Sequence, residues 1–205
     1  MEELVDIFTK DGYKTGISMP RETAIKEGKL IKAFQIWILN NNNQVLMEIR
    51  SNGKLHDAGM LDLCSGHVRQ GERESQAVRR EIKEELGENA IKTREFEKII
   101  KVGSERCDFR KYGRPGNYIF PWYILKLDRK IPEEDFELQK EEVAAIQWID
   151  YEKVKEIIKS GSNNIRIPYL PQTKNLLQKL DEKYYQKNNI CIGAEYFRTK
   201  KMHFC

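Results

Sequence analysis

Residues 66–88 read GHVRQGERESQAVRREIKEELGE, a glycine-bounded loop running into a helical pattern. Within it Gly66, Glu72, Arg80, Glu81, Glu84, Glu85 and Gly87 keep the spacing that a divalent-metal diphosphate site requires. On a helical wheel advancing about 100° per residue, Val78, Ile82 and Leu86 form one apolar stripe, and Glu81, Glu84 and Glu85 fall beside it. The acids therefore border the buried face. Like charges one turn apart on a helix cost about a few tenths of a kcal/mol each when exposed. In a partly dry cleft the cost grows, and a bound dication reverses its sign. Hard oxygen ligands suit Mg2+, with Mn2+ as the alternative. Arg80 stands where it can orient an acid or grip a phosphate bidentately. Gly66 and Gly71 bracket a loop able to bring backbone groups close to metal or phosphate. Alone, REIKEELG would be a solvated amphipathic helix with a glycine stop; Gly66 and Glu72 at fixed offsets make it a site.

The pattern of glycine, five residues, Glu, seven residues, Arg-Glu, apolar, any residue, Glu-Glu, any residue, glycine resembles the signature of the Nudix hydrolases. Ile82 fills the internal apolar position, while Glu88 stands where that family closes on an apolar residue. The likeness extends more loosely from about Val5 to Leu180, through the DGYKTG turn, the FQIWIL strand, Arg50, LDLCSGHV and EEVAAIQWID. Those segments resemble the branch whose sequences approach isopentenyl diphosphate isomerase. The resemblance implies an α/β/α sandwich around a mixed β-sheet. It also implies magnesium-dependent cleavage of a nucleoside diphosphate linked to another group, such as ADP-ribose or a nucleotide sugar.

Carried over residue by residue, the resemblance makes Glu81, Glu84 and Glu85 the metal ligands, joined by the Gly66 carbonyl, with Glu72 and Arg80 holding the constellation. Glu84 or Glu85 is the default general base for the attacking water. Acids outside the box stay open for that role: Glu105, Asp108, Glu133, Glu134, Glu141 and Glu142. His67 is either a catalytic or substrate-binding group or a structural loop residue, and Arg50 is a candidate contact for a substrate phosphate. His56 and His203 read as surface residues, and Trp37, Trp122 and Trp148 as core. The isomerase needs a cysteine directly before the box glycine, where this chain has Ser65, with Cys64 one residue earlier. Its histidine-rich metal site finds only His67, since LIKAF holds no histidine. Both departures weigh against isomerisation.

Around the box the pattern is α/β. Asp11-Gly12 marks a small hairpin, and residues 21–28 a short helix ended by glycine. LIKAFQIWIL and QVLMEIR read as strands joined at residues 40–43, and MLDLCS as a short strand leading to Gly66. Residues 73–86 form the box helix. REFEKIIKV reads as a charged strand and SERCDFRKYGRPG as a polar loop. NYIFPWYILKL is a strand whose Pro121 demands an edge position or a bulge. VAAIQWI is the last strand, and helices follow over 151–159 and 172–186, the latter with a Leu176, Leu177, Leu180, Tyr184 stripe. Together these predict one domain over 1–205, with an N-terminal hairpin at about 1–28 and a C-terminal helical extension at about 165–205. Substrate specificity is expected in the loops at 103–117 and 160–171.

Apolar content of 40% and charged content of 33% describe a folding, soluble chain. No apolar run approaches the roughly 18 residues of a membrane span. Acids at Glu2, Glu3 and Asp6 stand where an export signal carries positive charge, so the cytoplasm is the expected compartment. Cys64, Cys107, Cys191 and Cys205 form no CxxC pair, which disfavours a zinc knuckle or dithiol centre. A net charge of +4 from 36 basic and 32 acidic residues suits a small-molecule diphosphate substrate, and no aromatic and basic groove marks a nucleic-acid partner. A non-catalytic nucleotide or RNA-end binding module is the remaining alternative, disfavoured because unused clustered acids would repel for no gain. A homodimer is the general expectation for a soluble enzyme.

Overall fold

The Asp11-Gly12 turn joins Leu4–Phe8 (β1) to Lys14–Pro20 (β2) as an antiparallel hairpin, and Arg21–Lys26 (α1) follows directly. The computed structural model describes residues 2–54, 56–168 and 170–186. The expectations placed on His203, Cys191, Cys205 and the tail from 187 onward lie outside these residues. Leu30–Leu39 (β3) is the spine of a mixed sheet and leads through the residue 40–43 turn to Gln44–Arg50 (β4). Two short strands, Leu61–Asp62 (β5) and Ser65–His67 (β6), deliver the chain to the box helix Glu74–Leu86 (α2). Ile100–Asp108 (β7), Asn117–Lys126 (β8) and Val143–Asp150 (β9) complete the sheet, and Tyr151–Lys159 (α3) and Pro171–Gln186 (α4) close the described chain.

β3 runs parallel to β8 and antiparallel to β1, β4 and β6, while β7 pairs with β8 and β9 with β4. The period-2 alternation of β3 divides the core. Phe34, Ile36 and Ile38 face Val78, Ile82 and Leu86 of α2. Trp37 and Leu39 face Tyr151, Val154 and Ile158 of α3 and Leu176, Leu177 and Leu180 of α4. β8 repeats the division in register, with Tyr123 and Leu125 on the α2 side and Trp122 and Ile124 on the other. Helices thus cover both faces, which makes an α/β/α sandwich around a mixed sheet. Burying one such Ile or Leu contributes about 1.5–3 kcal/mol, so the α2 stripe fixes where the box acids stand. Trp37, Trp122 and Trp148 are all buried. No helix among the described residues is long and apolar enough to cross a membrane.

The structure corrects two expectations. REFEKIIKV is not one strand: a 3-10 helix occupies Thr93–Lys98, because Glu95 turns back to accept a hydrogen bond from Lys92 N at 2.8 Å while Phe96 buries its ring. SERCDFRKYGRPG is not all loop: β7 continues through Asp108, and a 3-10 helix covers Phe109–Tyr112. Among the described residues β7 has a strand on one side only; its alternate polar residues reach solvent, and Val102 and Cys107 supply its buried positions. Pro121 lies between two strands, not at an edge. The sheet gives way around it: the β3–β8 register omits Ala33, Phe34, Phe120 and Pro121, and β7 shifts register between Lys101 and Gly103. Pro121 has no N–H to donate, so it cannot carry its share of the ladder, and the local break in register accommodates it.

Candidate active site

β6 pairs with the middle of β3, Phe34 opposite Gly66, which lays the loop glycine beneath the box helix. A Cβ built on Gly66 would stand 2.4 Å from the Glu81 carboxyl carbon. Only glycine lets strand and carboxylate approach so closely. Gly87 ends α2 at φ +93°, and a Cβ there would meet Glu137 at 2.8 Å.

Arg80 ties the site together. It donates to Glu72 at 2.9 and 3.2 Å, to the His67 carbonyl at 2.9 Å, to Glu84 at 2.8 Å, and also to Glu81. Glu72 accepts a further bond from Arg69 N at 3.0 Å, which closes the loop onto the helix. A planar guanidinium suits this multi-acid task better than a lysine ammonium. The expected grouping of Glu72, Arg80, Glu81, Glu84 and Gly66 is therefore one contiguous cluster.

The three box acids differ in surroundings. Glu84 is at the rim, its side chain 40% exposed, and also pairs with Arg69 at 3.2 Å. Glu81 is largely covered, and burial pushes its carboxyl up to about 7 against the opposing pull of Arg80. Glu85 is buried, and burial together with the nearby Glu48 carboxyl raises it well above the usual range. Glu48 on β4 is raised for the same reasons, burial first and then Asp62 and Glu81. Glu85 Oε2 and Glu48 Oε1 are buried without a hydrogen-bond partner among the described residues. The orphaned Glu85 oxygen, with Glu81 and Glu84 on the same helix, is a donor set that a hard dication satisfies, so Mg2+ fits these residues.

The His67 ring lies against Tyr118, with ring centroids 5.7 Å apart. Burial, with Arg21, Arg166 and Arg80 nearby, holds its imidazole down to about 3, so it is neutral at ordinary pH. Arg50 points its guanidinium toward buried Asp62, 3.8 Å away. Asp62 also accepts from Gln35 at 3.0 Å, Leu63 N at 2.9 Å and Arg166 at 2.8 Å. Arg166 reaches it because Leu61 and residues 164–166 exchange backbone hydrogen bonds of 2.8 Å. The other acids considered as bases are engaged elsewhere or exposed: Glu105 with Lys179, Asp108 with Arg110, Glu133 with Lys130 and Glu142 with Lys54, while Glu134 and Glu141 face solvent.

Sequence reading missed Glu48, Asp62, Arg69 and Arg166. For Glu48 the strand alternation groups it with Leu46, opposite Val45 and Met47, but that points inward only once α2 is known to cover the Leu46 side. Arg166 carried no signal, because its role depends on a loop folding back by over a hundred residues.

The family profile described as the NUDIX domain matches residues 29–169. "Nudix hydrolase 3" of Arabidopsis thaliana is 34% identical over 170 residues, covering 82% of this chain but only 22% of that protein. The chain thus spans about a fifth of that relative's length. An isopentenyl-diphosphate Delta-isomerase of Serratia proteamaculans is 32% identical over 91 residues, 44% of this chain and 50% of the isomerase. Among solved structures, DR0079 of Deinococcus radiodurans superposes with a TM-score of 0.60 at 18% identity, covering 86% of this chain and 98% of that one. That likeness is one of fold.

Proposed function

Because the chain belongs to the NUDIX domain family, we propose that it is a magnesium-dependent hydrolase, cleaving the diphosphate of a nucleoside diphosphate linked to another group such as ribose or a sugar. The observation that carries this reading is the contact of Gly66 with the Glu81 carboxyl, locked by Arg80 to Glu72 and Glu84. An unused acidic helix has no need of a strand glycine beneath it. Glu81, Glu84 and Glu85, with the Gly66 carbonyl, would hold Mg2+, and Mn2+ suits the same donors. Bound there, the ion would neutralise the diphosphate, polarise a P–O bond and lower the pKa of an attacking water. Glu85, deeply buried, serves as ligand. Glu84 is the box acid most open to solvent, so it takes the proton of the water. Arg80 and Glu72 hold these acids and do not touch substrate. Arg50 turns to the substrate phosphate from the Asp62 side, and neutral His67 supports the loop.

The isomerase relatives favour a second reading, but the thiol is in the wrong place for it. Cys64 is buried against Glu48 and Glu85, and Ser65 occupies the position before the glycine. Incubation with Mg2+ and ADP-ribose, nucleotide sugars, dinucleotides, nucleoside triphosphates, capped RNA and isopentenyl diphosphate separates the two. The expected result is a phosphate-containing product from a diphosphate-linked nucleotide, reduced at least about 100-fold in Glu85→Gln and Glu84→Gln with the fold retained. Undiminished turnover in both variants overturns the ligand assignment. Turnover of isopentenyl diphosphate alone overturns the hydrolase.

A further inference from the structure

Behind the box acids a carboxyl oxygen of Glu48, the Cys64 sulfur and a carboxyl oxygen of Glu85 lie within 4.8 Å of one another. They come from three elements: β4, the link between β5 and β6, and α2. The three residues are 4%, 2% and 7% exposed, respectively. Among the described residues Glu48 Oε1 and Glu85 Oε2 have no nitrogen or oxygen hydrogen-bond partner, although nearly every buried polar group finds one, and the polar group against the Glu85 carboxyl is the Cys64 thiol. Arg50 offers Glu48 some opposite charge, yet its guanidinium is directed to Asp62 and to the His56 carbonyl.

We propose that Glu48, Cys64 and Glu85 form a binding site for a thiophilic divalent ion of the zinc class, distinct from the Mg2+ position and sharing Glu85 with it. A sulfur donor among oxygens is the discriminating feature. Mg2+ asks for about six oxygens and keeps its waters, whereas Zn2+ accepts thiolate and carboxylate together. With Zn–S near 2.3 Å and Zn–O near 2.1 Å, tetrahedral donors stand about 3.6 Å apart, so the trio closes on an ion by side-chain movement on the order of 1 Å. Three protein donors leave the fourth position open, as in zinc sites that exchange a ligand. Such an ion would neutralise the carboxylates that the fold places together and would pin α2 to β4 and to the segment entering the box loop. The inference does not rest on the hydrolase reading, because occupancy is read without substrate.

The test is titration of the full chain, stripped by chelator, with Co2+ as spectroscopic probe. The wild type is expected to develop a near-ultraviolet sulfur-to-cobalt charge-transfer band that saturates at about one equivalent, yields to Zn2+ and survives excess Mg2+. Cys64→Ser should abolish the band and Cys107→Ser should leave it. Glu48→Gln should weaken Co2+ binding at least about tenfold, since even a supporting residue of a metal site is worth that much. No band in the wild type, or a band that persists in Cys64→Ser, overturns the proposal, as does unchanged affinity in Glu48→Gln. The band without diphosphate turnover removes the hydrolase reading and keeps this one; turnover without the band does the reverse.

Discussion

Gly66 has no Cβ at the one point where the β6 strand meets the box helix, and the Glu81 carboxyl occupies the space that a Cβ would need. In Gly66→Ala the carboxyl must swing out, which breaks its bond to Arg80, or the helix must shift. Overpacking of that kind costs about 1–3 kcal/mol, and displacement of a reacting constellation by roughly 1 Å costs about 100-fold in rate. Gly71 is the contrast. It has φ +72° but open space around its Cβ, so Gly71→Ala should cost about 1 kcal/mol of stability and little turnover. Parallel kinetics and urea unfolding check the pair, and wild-type turnover in Gly66→Ala would show that the close approach has no catalytic use. The grouping of Gly66, Glu72, Arg80, Glu81 and Glu84 could be expected from the sequence because their spacing resembles the Nudix signature. Glu48 could not, because one acid in the strand QVLMEIR looks like any solvent-facing residue until the second face of the sheet is known to be covered.

At the scale of elements, α2 is anchored at both ends. Gly87 stops it, and at its first turn Glu74 accepts hydrogen bonds from Lys32 and Lys101 at 2.7 Å each and from the Tyr123 hydroxyl at 2.5 Å. Burial alone would raise this carboxyl, but the bonds from Lys101, Lys32 and Tyr123 outweigh it and hold Glu74 down to about 2. Its place at the positive end of the helix dipole adds to the preference for the charged form. Because the folded value lies below the ordinary 4.5, the group stabilises the fold fully above about pH 4.5 and loses that contribution as pH falls toward 2. Allowing for the solvent that still reaches it, the loss should be about 1–2 kcal/mol. Urea unfolding at pH 7 and pH 3 should show a smaller acid penalty in Glu74→Gln than in the wild type, and equal penalties would rule out this role for the cluster. Elements with a clean period, such as β3, β8 and α2, could be read directly. The 93–108 stretch could not, because Glu95 diverts the chain locally and an edge strand tolerates polar residues that a buried strand would exclude.

At the scale of the molecule, the box loop is held from outside the matched 29–169 region by the N-terminal hairpin. Leu4 O accepts from Gln70 N at 2.8 Å, Val5 bridges Arg69, and the Asp6 carboxylate accepts from Gly71 N at 3.1 Å. From the other side Arg166 pairs with Asp62 just ahead of the box. The loop that must present Gly66 and Glu72 is therefore clamped by two segments remote in sequence, a feature that no local pattern encodes. Asp6 separates this clamp from ordinary surface charge, because it also pairs with Lys14 at 2.6 Å. An exposed pair of that kind is worth about 0–1 kcal/mol, whereas the bond to Gly71 N fixes the loop backbone. Asp6→Ala should therefore speed amide exchange at Gly71 and lower turnover several-fold, at a stability cost of about 1 kcal/mol. Lys14→Ala, which removes only the ion pair, should leave both exchange and turnover near wild type. Hydrogen exchange resolved to the 69–72 segment reads the difference directly, and equal exchange in the two variants would mean that the hairpin merely covers the loop and does not position it.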